Sequence, residues 1–419
     1  MPATSPVEPA SAAVVTPTSP SAAAVAPAPP SPAEGAKSTP EEAPPTPLET
    51  PIAIHGFASQ GFIKTTKNDY LADSKRGSFE FTEVGINFTK DLTDRLRVGV
   101  QLFARNLGPI GNYTAQFDWF FLDYRFADWF GIRAGRTKLP FGLYNETSDV
   151  DAARVPVLLP QSVYPIQSRD YLLAQNGVEA YGFIPLGSPG DLEYRVYGGA
   201  LFIDPRYEGL GQLLTKATTP YLVGGRLMWA TPLQGLQLGG SAQLVRLDLE
   251  IVPPDAVLAP LRAAGQLPAN FNGTVNASAP VLLTVGSIEY SANDLLIAAE
   301  YGRQRAKLTS NVQALAPNAT TVSEHAYVMG SYRINEWFTP GVYYSALFPN
   351  VDHRSGRDKY QHDVAGTLRF DLNKYWLLKL EGHYMHGTAG LSSDLNGGAA
   401  LNTLESDWGV FLVKTTVYF

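Results

Sequence analysis

From Pro51 onward, apolar and polar side chains alternate with a period of two. In Leu96–Arg105, Leu96, Val98, Val100, Leu102 and Ala104 fall on one face, and Arg97, Gln101 and Arg105 on the other. In Tyr221–Ala230, Tyr221, Val223, Leu227 and Trp229 oppose Gly224 and Arg226. In Tyr375–His386, Trp376, Leu378, Leu380 and Tyr384 oppose Lys379, Glu381 and His383. This period marks strands with one apolar face and one polar face.

The pattern predicts sixteen strands. They are Ile52–Ile63, Ser78–Lys90, Arg95–Arg105, Gln116–Phe126, Trp129–Lys138, Gly177–Ile184, Leu192–Phe202 and Tyr221–Ala230, then Leu236–Leu249, Val281–Tyr290, Asp294–Leu308, Tyr327–Ile334, Trp337–Leu347, Tyr360–Phe370, Tyr375–His386 and Glu405–Phe419. Short connections such as Ala127-Asp128 and Asn335-Glu336 alternate with long ones. Tight turns on one rim and loops on the other are expected of a transmembrane barrel, and an even strand number returns both chain ends to the same side. A soluble propeller could supply as many strands but not the loop alternation. The expected fold is therefore all-β: a 16-stranded antiparallel transmembrane β-barrel over residues 51–419.

A Lys or Arg facing lipid at mid-bilayer costs about 2–4 kcal/mol, so the charged face belongs to a wet lumen. Two places break the alternation. Arg136 and Lys138, and Arg246 and Asp248, sit on the apolar parity, as a bulge or an exit from the bilayer would require. Aromatic pairs follow the short turns at Trp129-Phe130, Trp337-Phe338 and Tyr375-Trp376, which suits a girdle at headgroup level. The final strand ends on Phe419 and resembles the closing strand of outer-membrane proteins.

Residues 1–50 carry 13 of the 32 prolines and no aromatic residue. Such a segment cannot bury enough apolar surface to order itself, so a disordered periplasmic tail is expected. It is either passive or a spacer that brings the barrel near the cell wall. Residues 1–30 lack a basic start, and Ala22–Ala26 is too short for a signal core; the expectation is a mature chain with a replacement Met1. The chain has no Cys and only six His, without ligand-like spacing apart from His383 and His386, so neither metal nor cofactor is expected. The net charge of −7 argues against a nucleic-acid partner. For a barrel enzyme the best candidate set is His383 with Ser345 or Glu381, and nothing in the sequence activates it.

The most specific text runs from Gly135-Arg136-Thr137-Lys138-Leu139-Pro140-Phe141-Gly142 into Leu143-Tyr144-Asn145-Glu146-Thr147. It continues at Leu158-Leu159-Pro160-Gln161-Ser162-Val163-Tyr164 and Asn176-Gly177-Val178-Glu179. This resembles Gram-negative outer-membrane porins, broadly the phosphate-selective porin O and P group. The similarity covers residues 52–419 in layout and about 135–180 in wording. It implies a trimeric passive diffusion channel whose third extracellular loop folds inward and constricts the pore. The long segment 139–176 takes that place, and Val155, Val157, Leu158, Leu159 and Val163 give it apolar surface to bury. The dense basic series of the phosphate-selective members is not evident here, so phosphate selectivity does not carry over.

The residues expected to line the pore or its constriction are Arg97, Arg105, Asp123, Arg125, Arg133, Arg136 and Lys138 on the wall, with Glu146, Asp149, Asp151, Arg154, Arg169 and Asp170 on the loop. Basic wall against acidic loop would set up a field across the narrowest point; the alternative is local pairing with neighbours such as Asp123 or Glu193. The expected function is an outer-membrane porin passing ions and small hydrophilic solutes, not an enzyme. A specific anion or phosphate channel and a poorly conducting envelope anchor are the alternatives. Expected partners are outer-membrane lipid and lipopolysaccharide, the diffusing solutes, and two further copies in a homotrimer.

Overall fold

The computed structural model describes residues 51–203 and 214–419. The expected tail, 1–50, lies outside the described residues. Sixteen strands run in chain order: β1 (Ala53–Thr65), β2 (Phe81–Asp91), β3 (Leu96–Leu107), β4 (Gln116–Ala127), β5 (Phe130–Lys138), β6 (Ala174–Pro185), β7 (Asp191–Ala200) and β8 (Leu214–Ala230). Then come β9 (Leu236–Ile251), β10 (Val275–Ala292), β11 (Leu295–Ser310), β12 (Ala319–Tyr332), β13 (Phe338–Phe348), β14 (Gln361–Asn373), β15 (Trp376–Gly387) and β16 (Asp407–Tyr418). Each pairs antiparallel with its sequence neighbours, and β16 returns to β1 to close the barrel. The seam is finished by two bonds, Gly56 N–H to the Phe419 carbonyl and Phe419 N–H to the Gly56 carbonyl, both 3.1 Å. Closure gives every strand among the described residues a partner on both sides, which is what a lipid environment demands of a sheet.

The alternation sorts inside from outside. Leu122, Val178, Val223, Leu227, Val342 and Val364 point outward and are exposed, whereas Arg105, Glu83, Lys379 and Lys414 point inward and are buried. The outer surface is thus apolar where it must meet lipid. Trp129, Trp337, Tyr375 and Trp376 are exposed beside the short turns, and Trp337 stacks on Phe370 at 6.2 Å.

Several expected boundaries shift. β8, β10 and β12 begin at Leu214, Val275 and Ala319, well before Tyr221, Val281 and Tyr327. These extensions rise toward the long-loop rim, where both faces tolerate polar residues and the periodic signal fades. β6 begins at Ala174, so the loop after β5 spans 139–173 rather than 139–176.

Arg136 and Lys138 do not face lipid. β4 is bulged where the pairing slips between Gln101 and Leu102, and Gly135 in β5 has φ 129°, a conformation open to glycine. Asp118, Arg136 and Lys138 all turn to the lumen, and the Arg136 Nε–H donates to the Asp118 carbonyl at 2.8 Å. Arg246 and Asp248 do stay outside, on the extended part of β9, and neutralise each other at 2.9 Å.

Candidate functional site: the lumen and its inserted loop

The loop 139–173 folds into the barrel and is fastened to the wall from both ends. Its apolar residues do what an inward loop requires: Val157, Leu158 and Leu159 are buried. Val157 and Leu158 pack with Ile63, Phe81, Val410 and Leu412 of β1, β2 and β16. Leu159 and Tyr164 pack with Tyr327, Met329 and Tyr343 of β12 and β13. Four short 3₁₀ or helical turns, at Asn145–Thr147, Asp151–Ala153, Ile166–Ser168 and Arg169–Leu172, tighten the segment. Their termini leave backbone groups that must find partners on the wall.

Near β14–β16, Asp151 is the centre of a buried charge cluster. Its carboxylate accepts from Lys414 Nζ at 2.8 Å, Thr416 Oγ at 2.7 Å and Arg154 Nη2 at 3.0 Å, with Lys379 Nζ at 3.8 Å. Lys379 donates to the loop carbonyls of Asp151, Arg154 and Pro156 at 2.9, 2.9 and 3.1 Å. Glu381 accepts the backbone N–H groups of Val157 and Leu158 at 2.7 and 2.9 Å. Arg369 reaches the Ala152 and Arg154 carbonyls. The cations beside Asp151 outweigh its burial and hold its carboxyl below the usual range.

On the opposite wall a second network holds the start and end of the loop. Glu146 meets Arg195 and Arg226, each at 3.0 Å. Asp149 meets Lys138 at 2.7 Å and Arg169 at 3.3 Å. Arg169 also grips Asp118 through two bonds of 2.9 and 2.8 Å and lies over the Phe103 ring. Burial pushes the carboxyls of Glu146 and Asp149 up, but these cations outweigh it and lower both to about 2. Arg105 donates to the Ile166 carbonyl at 2.8 Å. Arg133 lies between Asp123 at 3.0 Å and Glu179 at 3.5 Å on the wall itself.

Ten of the thirteen expected residues are therefore placed in these networks. Arg97 and Arg125 are not: Arg97 approaches Asp91 at 3.8 Å and Arg125 approaches Asp128 at 4.0 Å, both by the short-turn rim. The side chain of Asp170, though its backbone is helical, lies outside the described residues. The expected field across an open gap is replaced by direct contact. Wall cations and loop anions touch, so their charges cancel at about 3 Å instead of facing each other through water.

Alternation also missed partners. Asp118 reads as lipid-facing until the bulge is known. Tyr144 Oη donates to Glu289 at 2.5 Å, and Tyr164 Oη donates to Glu300. Tyr164 Oη also accepts the Leu143 and Tyr144 N–H groups at 2.9 and 3.0 Å. The Tyr-rich composition was the only sequence trace of these ties. Beside the loop, a cavity of about 120 Å³ separates Leu159, Val163 and Tyr164 from Gln243, Val285 and His325 of the far wall. Of the candidate catalytic set, His383 is wholly buried between Asp363 at 2.9 Å and Glu381 at 3.1 Å, and Ser345 donates to Ser162 instead.

The same barrel occurs among solved structures. OmpF of Salmonella typhi, in complex with daunomycin, shares 12% identity, with 88% of this chain and 97% of that chain covered and a TM-score of 0.54. OmpT, an outer membrane protein of Vibrio cholerae, shares 10% identity over 89% and 99%, at a TM-score of 0.52. The outer membrane channel DcaP of Acinetobacter baumannii shares 10% over 88% and 97%, at 0.51. No family model and no curated protein matches the chain. At these identities the likeness is one of fold: a porin-like, outer-membrane type of barrel, with no narrower group singled out.

Proposed function

We propose that the chain is an outer-membrane porin, a homotrimeric channel for passive diffusion of ions and small hydrophilic solutes. The observation that carries this is the inserted loop. A sixteen-stranded barrel encloses a bore too wide for wall side chains to fill, and here one loop narrows it while being tied down on both sides. A plug meant to be expelled would not be held by two buried ionic networks. Because those networks are locally neutral, the reading favours selection by size with modest charge preference. It disfavours a phosphate-specific pore, which needs free cations along the path. A trimeric form exists for the Vibrio cholerae OmpT fold, and the same assembly is proposed here.

The test is single-channel recording of the purified protein in planar bilayers under asymmetric KCl, repeated with phosphate, sugars and dicarboxylates. Steady conductance with a small reversal potential is expected. Absence of current in inserted protein would favour the envelope anchor; stepwise block by phosphate alone would favour the specific anion channel.

A further inference from the structure

The two ionic networks draw on β3–β8 and on β14–β16, and the wall between them is of another kind. Ser287 of β10 and Glu300 of β11 meet each other, and Glu300 meets Tyr164 of the loop, which fixes the inward parity of both strands. From there toward the long-loop rim, Val285, Leu283 and Val281 point into the bore from β10, and Gly302, Gln304 and Ala306 from β11. On β9 the same rows continue with Gln243 beside Leu283 and Val245 beside Val281. None of these residues carries a charge. Two residues along a tilted strand climb about 5 Å, so the uncharged strip covers about 10 Å of the bore.

The strip faces the loop across the cavity of about 120 Å³, with Leu159 and Val163 on one side and Leu283 and Val285 on the other. Val245 and Val281 are buried beside Leu139, whereas Leu283 is only partly covered. The charges at the cavity edge are spoken for. Glu83, Arg154 and Arg169 are held by Lys414, Asp151 and Asp118 at 2.5, 3.0 and 2.8 Å, and Arg303 stands at an outward position of β11. His325 is engaged by Ser323 Oγ at 3.0 Å. Gln304, inward and half-buried, lines the cavity with a side-chain amide that has no hydrogen-bond partner among the described residues.

We propose that this strip and the loop form a binding site for a neutral, single-ring aromatic solute with one hydrogen-bonding substituent. The ring lies between Leu159 and Val163 of the loop and Leu283 and Val285 of the wall, and Gln304 takes the substituent. A mostly apolar cleft with one polar group to set orientation is what such a ligand requires. Size narrows the choice, since an apolar cavity of about 150 Å³ takes benzene, so about 120 Å³ takes one ring and little more. An ion or a sugar would shed water there without hydrogen bonds to replace it. The proposal rests on the barrel being an open pore, which gives the solute its route from water.

The test is saturation-transfer NMR of the full barrel in detergent micelles, referenced to empty micelles and titrated with benzamide, benzoate and glucose. Single-channel recording in KCl with the same three solutes runs beside it. Benzamide should bind saturably with a Kd on the order of 1 mM and reduce the current. Benzoate and glucose should bind about tenfold more weakly or worse. Leu283→Asn should weaken benzamide about tenfold and Gln304→Leu about fivefold, while Leu283→Met should bind within about threefold of wild type. Equal binding of glucose or benzoate, or unchanged benzamide binding in both Leu283→Asn and Gln304→Leu, would overturn the site. So would loss of binding in Leu283→Met, because a disturbed barrel would then explain the effect. Normal KCl current without saturable benzamide binding would overturn the site and leave the pore standing; absence of KCl current would overturn the pore reading, and the micelle titration would still decide the site.

Discussion

Replacing Asp151 with asparagine keeps the size of the side chain and removes the charge that joins the loop to β15 and β16. The carboxylate lies within 3.0 Å of Lys414, Thr416 and Arg154 and is 2% exposed. An amide oxygen can keep one of those donors. The other contacts are lost or weakened, and Lys414 retains Glu83 while Lys379 retains three loop carbonyls. Breaking a buried ionic contact of this kind costs about 3–5 kcal/mol. The cost falls on the docked segment, because the barrel ladder is untouched. Local opening should rise by about 10²–10⁴-fold if the docked state alone is destabilised by that amount. The assay is amide hydrogen exchange of a peptide spanning 151–159 in the micelle-embedded barrel, where the Val157 and Leu158 N–H groups are protected by Glu381. Faster exchange there, with unchanged exchange in the strands, is the expected outcome. Protection equal to wild type would refute the idea that the Asp151 cluster holds the loop.

Acid should act on the same attachment. Glu146 and Asp149 have folded-state values lowered to about 2 from 4.5 and 3.8, so their contribution is complete above about pH 4.5 and is lost as pH falls through 2. Protection of the loop amides, corrected for the intrinsic pH dependence of exchange and followed from pH 5 downward, should fall progressively below about pH 4.5 and be largely lost near pH 2; protection undiminished at pH 2 would contradict the role of these carboxylates. Changing Arg133 to Gln leaves Asp123 and Glu179 less compensated and should move the reversal potential toward cations, whereas Arg97 to Gln should do less because it stands apart from the loop; an unmoved potential for both would remove these residues from selectivity. Gly177 faces Gly199 across β6 and β7, and an added Cβ would lie 2.1 Å from the Gly198 carbonyl oxygen. Gly177→Ala should therefore destabilise the barrel by about 1–3 kcal/mol in urea unfolding, and a stability equal to wild type would show that the two strands can part without cost.

The strand count, the even parity and the inside–outside sorting were legible in the chain because lipid and water enforce a period of two on every strand that separates them. Lys379, Glu381 and Lys414 could be assigned to the lumen from alternation alone, and the apolar residues of the loop foretold that it packs inward. Alternation failed where the ladder itself was irregular. Asp118, Arg136 and Lys138 turn inward through a bulge and a glycine conformation that only the paired neighbour strands define. Partner choice was beyond any local pattern: Asp151 finds Lys414 across 263 positions of sequence, and Glu381 finds Val157 across 224. Barrel closure brings such distant residues together, and the low polarity around them makes unpaired charge costly. Periodicity could place each charge on a face, but only the closed cylinder decided which opposite charge would neutralise it.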